Sequence, residues 1–217
     1  MSAHSAPSPA PSPAPAPLLA ELAADRVIAV VRAPVIPDAA ALCVALAEGG
    51  IRWVEFTFTT PEATEHLRRA VAARTGCRIG LGTVLTGGQA AEAVAAGAEY
   101  LVTPGVRPEV AAAPVPVVLG ALTPTEVAAA VDLGAAAVKV FPARAFGPGY
   151  LRDLHGPYPA VPLVASGGVN AANAADFLTA GATAVCAGSE VVAPALVAAG
   201  DWAEITRRAR EFTAALG

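Results

Sequence analysis

TPTEVAAAVDLGAAAVKVF, residues 123–141, contains the whole unit from which this chain is built. Thr123 offers a hydroxyl cap ahead of Pro124, whose fixed φ and missing N–H suit the first turn of a helix. The Ala-rich run Pro124–Leu133 reads as that helix. Gly134 then takes the left-handed position past its end at little steric cost. Ala137–Phe141 follows as an apolar, β-branched strand. Helix, glycine turn and strand are compressed into one phrase.

The phrase recurs along the chain: AEGG, AAGA and TAGA repeat the DLGA turn. Strands are expected at Val27–Val31, Trp53–Phe58, Arg78–Leu81, Tyr100–Val102, Val115–Leu119, Ala137–Phe141, Pro162–Ala165 and Thr183–Ala187. Between them lie helical segments at Asp38–Glu48, Glu62–Ala73, Gly88–Ala96, Pro108–Ala112, Pro124–Leu133, Gly149–Leu154, Ala172–Thr179 and Val192–Ala199, with a closing helix Ala203–Leu216. Asp38 is placed to cap the first of these. Strands alternating with helices give parallel βαβ units, and runs such as Ile28–Val31 (IAVV) fit a sheet buried on both faces. Eight such units predict a closed (β/α)8 TIM barrel, with its chemistry at the C-terminal strand ends.

The chain has 217 residues, suited to one domain. Residues 1–17 are almost entirely Ala, Pro and Ser and read as a disordered, polyproline-prone tail, with the barrel over 18–217. That stretch has no basic n-region, so a secretory leader is not expected. The net charge of −4 supplies no clustered basic footprint for nucleic acid. No apolar run is long enough to predict a membrane span. Cys43, Cys77 and Cys186 show no CxxC spacing and read as small buried hydrophobes in a reducing, cytoplasmic setting.

Lys139 is the only lysine, and it stands inside an apolar strand (AVKVF). Burying an ammonium is costly unless it is paired or neutralised. Desolvation lowers a lysine pKa and yields the neutral amine that attacks carbonyls. Glu55, inside the strand Trp53–Phe58, is the matching oddity, and it is expected to meet Lys139 across the barrel mouth. A desolvated glutamate shuttles protons near neutrality. A purely structural ion pair fits the same two positions, and position alone does not decide between them. Ser166-Gly167-Gly168 after strand seven and Gly188-Ser189 after strand eight form the paired loops on which barrels often hold phosphate. Gly80-Leu81-Gly82 is no dinucleotide fingerprint, because Leu85 occupies the place of its third glycine. His66 and His155 lack metal-ligand partners at helical spacing and read as surface residues.

Taken together, these motifs resemble the 2-dehydro-3-deoxy-phosphogluconate aldolase family, with its 4-hydroxy-2-oxoglutarate and phosphogalactonate relatives. The resemblance rests on Val54-Glu55 leading to Thr60-Pro61, Gly80–Leu85, Thr103-Pro104-Gly105, Gly120 with Thr123–Glu126, Val138–Ala143, Gly167-Gly168-Val169 and Gly188-Ser189. It implies a class I aldolase in which Lys139 forms the imine with the 2-keto group and Glu55 is the general acid/base. It further implies that Thr83 contacts the pyruvyl carboxylate, that Pro104 and Phe141 wall the pocket, and that Gly167, Gly168 and Ser189 bind phosphate beside Ser166 and Gly188. The implied partner is a small keto-acid sugar phosphate and the implied assembly a homotrimer, with no cofactor and no metal. Many members carry arginine where this chain has Thr59. Arg32, ending strand one, is expected to supply that charge, unless it pairs with Glu55 or a loop carboxylate instead. Three substrates stay open: the phosphogluconate, its galactonate epimer and 4-hydroxy-2-oxoglutarate. So does a non-catalytic sugar-phosphate-binding barrel.

Overall fold

The computed structural model describes residues 17–217. Eight parallel strands, β1 (Val27–Val31), β2 (Trp53–Thr57), β3 (Arg78–Gly82), β4 (Tyr100–Val102), β5 (Val117–Ala121), β6 (Ala137–Val140), β7 (Leu163–Ala165) and β8 (Ala182–Ala187), pair in chain order and close β8 onto β1. The expected barrel is the observed one. Strand β5 starts two residues later than anticipated. Pro114 and Pro116 cannot donate to a ladder, and Pro116 contributes only its carbonyl, to the N–H of Leu101.

Alternation along the strands separates two cores. Ala29, Val31, Val54, Phe56, Leu81, Leu101, Leu119, Val138 and Val140 face outward and join the larger cluster with the surrounding helices. Ile28, Trp53, Tyr100, Val102, Val118, Ala137, Val164, Ala184 and Cys186 face inward and fill the barrel. Trp53 and Tyr100 pack at a tilted angle within that interior, with ring centroids 5.1 Å apart.

The helices follow the expected segments: α2 (Ala39–Glu48), α3 (Ala63–Ala72), α4 (Gly87–Ala95), α5 (Pro108–Ala111), α6 (Pro124–Asp132), α7 (Gly149–His155), α8 (Ala174–Thr179), α9 (Pro194–Ala199) and α10 (Trp202–Ala214). Asp38 caps α2 by accepting from the N–H of Ala41. Thr123 and Glu126 form a reciprocal capping box at α6. The turn glycines Gly50, Gly97, Gly134 and Gly181 all have positive φ, as the repeated phrase requires.

One helix was not anticipated. Helix α1 (Pro17–Asp25) begins at the last residue assigned to the tail and closes the N-terminal end of the barrel, with Leu19 and Leu22 in the interior cluster. Its C-terminal Asp25 accepts from Nε1 of Trp53 at 3.0 Å. The remainder of the proposed tail, residues 1–16, lies outside the described residues. His66 also departs from expectation. It is buried and stacked on Phe56 rather than on the surface, because its helix turns that face toward β2. His155 is half-buried, with its Cε1 and Nδ1 against the place a side chain on Gly181 would occupy.

Candidate active site

Lys139 and Glu55 are buried, charge-bearing side chains on inward positions near the C-terminal mouth. They stand on β6 and β2, with three strands between them in either direction around the barrel. Nζ of Lys139 donates to both carboxylate oxygens of Glu55, at 3.4 and 3.5 Å. Both side chains are buried. The pair therefore spans the barrel interior, and glycines make the span possible. A Cβ on Gly82 would overlap the Glu55 carboxylate, and one on Gly80 would lie 2.5 Å from the Tyr100 ring. On β5, a Cβ at Gly120 would overlap the backbone of Pro104. Thr103 locks that Pro104 loop, donating to Gly105 O at 2.6 Å and accepting from the N–H of Gly120 at 3.0 Å.

Burial lowers the Lys139 pKa, but the Glu55 carboxylate and, after it, Cys186 raise it, and the net shift is upward. The net direction is thus opposite to the lowering that desolvation alone would give. Arg32 pulls in the opposite direction, lowering the Lys139 value, which places its charge within electrostatic reach of Nζ. Cys186, in the barrel interior, is pushed up to about 11 by burial and stays a neutral thiol at physiological pH. The Phe141 ring centroid lies 5.9 Å from Nζ and offers the ammonium a cation–π contact.

A cavity of about 480 Å³ opens beside this pair. Its lining comes from four consecutive strand ends: Lys139 and Phe141 from β6, the Ser166–Gly168 loop after β7, Gly188-Ser189 after β8, and Arg32 after β1. Gly167 and Gly168 are consecutive left-handed residues, with φ +88 and +83. The turn they make leaves their N–H groups, and those of Gly188 and Ser189, without a protein acceptor among the described residues. Converging free N–H donors are the backbone requirement for holding an oxyanion.

The structure brings together eight of the sequence-derived residues around this cavity: Arg32, Lys139, Phe141, Ser166, Gly167, Gly168, Gly188 and Ser189. Glu55 joins them through Lys139. Thr59, Thr83 and Pro104 follow β2, β3 and β4 on the same C-terminal rim but do not line the cavity. Thr59 is exposed and bonds Thr57 Oγ1 at 2.9 Å, while Thr83 is held at a left-handed φ of +56. Arg32 makes no ion pair or side-chain hydrogen bond among the described residues, so the alternative pairing with Glu55 is not formed. Sequence reasoning missed Arg144, Asn170 and Glu190, which also line the cavity. The one available signal was position: each lies within five residues of a motif already singled out.

A buried lysine held by a carboxylate at the C-terminal mouth of a (β/α)8 barrel, beside an anion-receptive cavity, defines the class of Schiff-base aldolases. Within that class, the chain belongs to the KDPG and KHG aldolase family, whose model matches residues 19–208. A 2-dehydro-3-deoxy-phosphogluconate aldolase of Treponema pallidum is 38% identical over 200 residues, covering 88% of this chain and 94% of that protein. A probable 2-dehydro-3-deoxy-6-phosphogalactonate aldolase of Rhizobium meliloti is 33% identical, covering 80% and 84%. Among solved structures, the KDPG aldolase from Legionella pneumophila, with pyruvate captured as a covalent carbinolamine intermediate, superposes with a TM-score of 0.82. It is 32% identical, covering 88% of this chain and 96% of that one.

Proposed function

We propose that this chain reversibly cleaves 2-dehydro-3-deoxy-6-phosphogluconate to pyruvate and glyceraldehyde 3-phosphate through an imine on Lys139. The observation that carries the reading is the 3.4 Å contact between Nζ and the Glu55 carboxylate in an otherwise apolar interior. In the first step Glu55 takes a proton from the Lys139 ammonium, and the freed amine attacks C2 of the keto acid. Glu55 returns that proton as the carbinolamine loses water, which leaves a protonated imine. As carboxylate again, Glu55 removes the C4 hydroxyl proton. The C3–C4 bond breaks, its electron pair passes into the imine, and the aldehyde leaves. Protonation of the enamine at C3 and hydrolysis release pyruvate and restore the lysine. Each proton needs one acceptor of suitable reach, and a carboxylate touching Nζ is that acceptor.

The free N–H groups of the Ser166–Gly168 and Gly188-Ser189 loops receive the 6-phosphate in this reading, and Phe141 walls the keto-acid end. Thr83 and Pro104, on the β3–β4 side of the rim, complete the mouth around the pyruvyl group. The galactonate epimer is a second reading, favoured by Arg32 lining the cavity while Thr59 stays outside it. Three free cysteines suit a cytoplasmic setting. The working assembly is a homotrimer, for which exposed Phe146, tilted against Tyr150 with ring centroids 4.7 Å apart, offers an apolar contact face. Sedimentation of the pure protein tests that assembly, and a monomer at micromolar concentration sinks it.

Incubation with pyruvate and borohydride, followed by intact and peptide mass measurement, tests the reaction itself. One lactyl group is expected, on the peptide containing Lys139. Labelling that is absent, or that survives Lys139→Arg, overturns the imine mechanism.

A further inference from the structure

The cavity beside Lys139 holds a second guanidinium that none of the reaction steps uses. Arg144 sits in a short 3-10 turn, Ala143–Ala145, directly after β6. Two backbone bonds stitch this turn to the glycine loop: the N–H of Ala143 donates to Ser166 O at 2.7 Å, and that of Arg144 to Gly167 O at 3.0 Å. The Arg144 stem then lies over Gly168, where an added Cβ would come 2.5 Å from Arg144 Cβ and 3.0 Å from Cδ. Gly168 is therefore required twice, for its left-handed φ and for the arginine that crosses it.

Arg52, Arg68, Arg69, Arg78, Arg207 and Arg208 each engage a carboxylate. Arg144 engages none among the described residues, although its stem packs against Gly168 and it lines the cavity. Glu190 is the carboxylate on the same wall, and one of its oxygens accepts from the N–H of Ala171 at 2.9 Å. Of the two cavity arginines, Arg32 is the one felt by Lys139. Arg144 instead lies against Gly168, beside the unpaired N–H groups of Gly167 and Gly168. A planar, permanently charged fork beside backbone donors recognises a phosphate dianion and gains little from a hydroxyl.

From this geometry we infer that Arg144 is the specificity-determining residue by which the chain prefers phosphorylated over unphosphorylated keto acids. The inference rests on the aldolase reading and adds to it a residue that sets substrate class. Its test compares 2-dehydro-3-deoxy-6-phosphogluconate with 2-dehydro-3-deoxygluconate, which differs only in lacking the phosphate. In Arg144→Gln the ratio of kcat/KM for the two falls roughly tenfold to a hundredfold, the loss of a charged hydrogen-bonding pair, and it falls through KM. Arg144→Lys recovers part of the ratio, because a point charge remains while the fork is lost. Titration with inorganic phosphate followed by 31P NMR reads the same site without turnover and weakens in Arg144→Gln. A wild-type preference for neither substrate, or a ratio and phosphate affinity that stay at wild-type values in the variant, overturns the assignment. Pyruvate trapping in the wild type is run alongside. Its failure removes the aldolase reading, while the phosphate titration still decides whether Arg144 holds the anion.

Discussion

Gly82 and Glu55, on neighbouring strands, share one volume: a methyl group on the glycine would overlap the carboxylate, and would lie 2.6 Å from Glu55 Cγ. The glutamate can point across the barrel to Lys139 only because its neighbour has no side chain. Gly82→Ala forces the carboxylate aside without touching either reacting group. Proton transfer by a positioned side chain contributes ~10²–10⁴ in rate, and kcat is expected to fall within that range. Thermal unfolding of the variant checks that the barrel persists. Wild-type kcat in a folded Gly82→Ala protein would falsify the dependence of Glu55 on that space.

Glu55→Gln keeps the shape and removes both the proton acceptor and the charge that raises the Lys139 pKa. With the carboxylate gone, desolvation, the largest influence, and Arg32 push downward against Cys186 alone. The pH midpoint for reaction of Lys139 with an amine-directed acylating reagent therefore moves to lower pH in the variant. The kcat for cleavage falls by ~10²–10⁴ all the same, because the C4 hydroxyl has lost its base. A midpoint that rises, or does not move, means that the 3.4 Å contact does not set the lysine's protonation.

Stability should respond to the pair in a way that separates it from a surface bridge. Removing one partner of a buried ion pair leaves an uncompensated charge, at a typical cost of ~3–5 kcal/mol. Lys139→Met is expected to lower stability by that order, and adding Glu55→Gln should return most of it. The folded-state pKa of Lys139 lies above its ordinary value of 10.5. Its contribution is therefore complete below that value and is lost as pH climbs through the higher folded one. Urea midpoints measured from neutral to strongly alkaline pH check the sign: the gap between wild type and the double variant should narrow only on the alkaline side.

Much of this molecule was legible from local chemistry. A lysine and a glutamate inside apolar strands announced themselves because buried charge needs a reason, and the repeated glycine phrase fixed the turns that space the strands. What could not be read was nonlocal. Helix α1 follows an Ala-Pro tail of similar composition, and Leu22 is held by the barrel floor rather than by its own helix pattern. Gly80 and Gly82 were weighed as a nucleotide motif, yet they are cut to fit Tyr100 and Glu55 from adjoining strands. His66 gave no sign of its place against Phe56. Nothing in the sequence marks Arg144, because its place depends on the turn after β6 bonding to the loop after β7.

Arg32 carries the last expectation. A pyruvyl carboxylate entering a partly dry barrel mouth calls for a charged donor, worth ~1.5–3 kcal/mol when well placed. Thr59 offers only a hydroxyl, already bonded to Thr57 and outside the cavity. Arg32 lines that cavity with Lys139, has no carboxylate partner among the described residues, and acts electrostatically on Nζ. Arg32→Gln should raise KM for the keto acid by roughly tenfold to a hundredfold. The same change should slow pyruvate trapping at low pyruvate concentration, since both ligands share the carboxylate. Thr59→Arg in that background should restore part of the loss, because its side chain rises from the strand next to Arg32. If Arg32→Gln leaves both kcat/KM for the keto acid and the rate of pyruvate trapping intact, carboxylate recognition belongs to Thr83 and the backbone amides, and Arg32 touches neither end of the substrate.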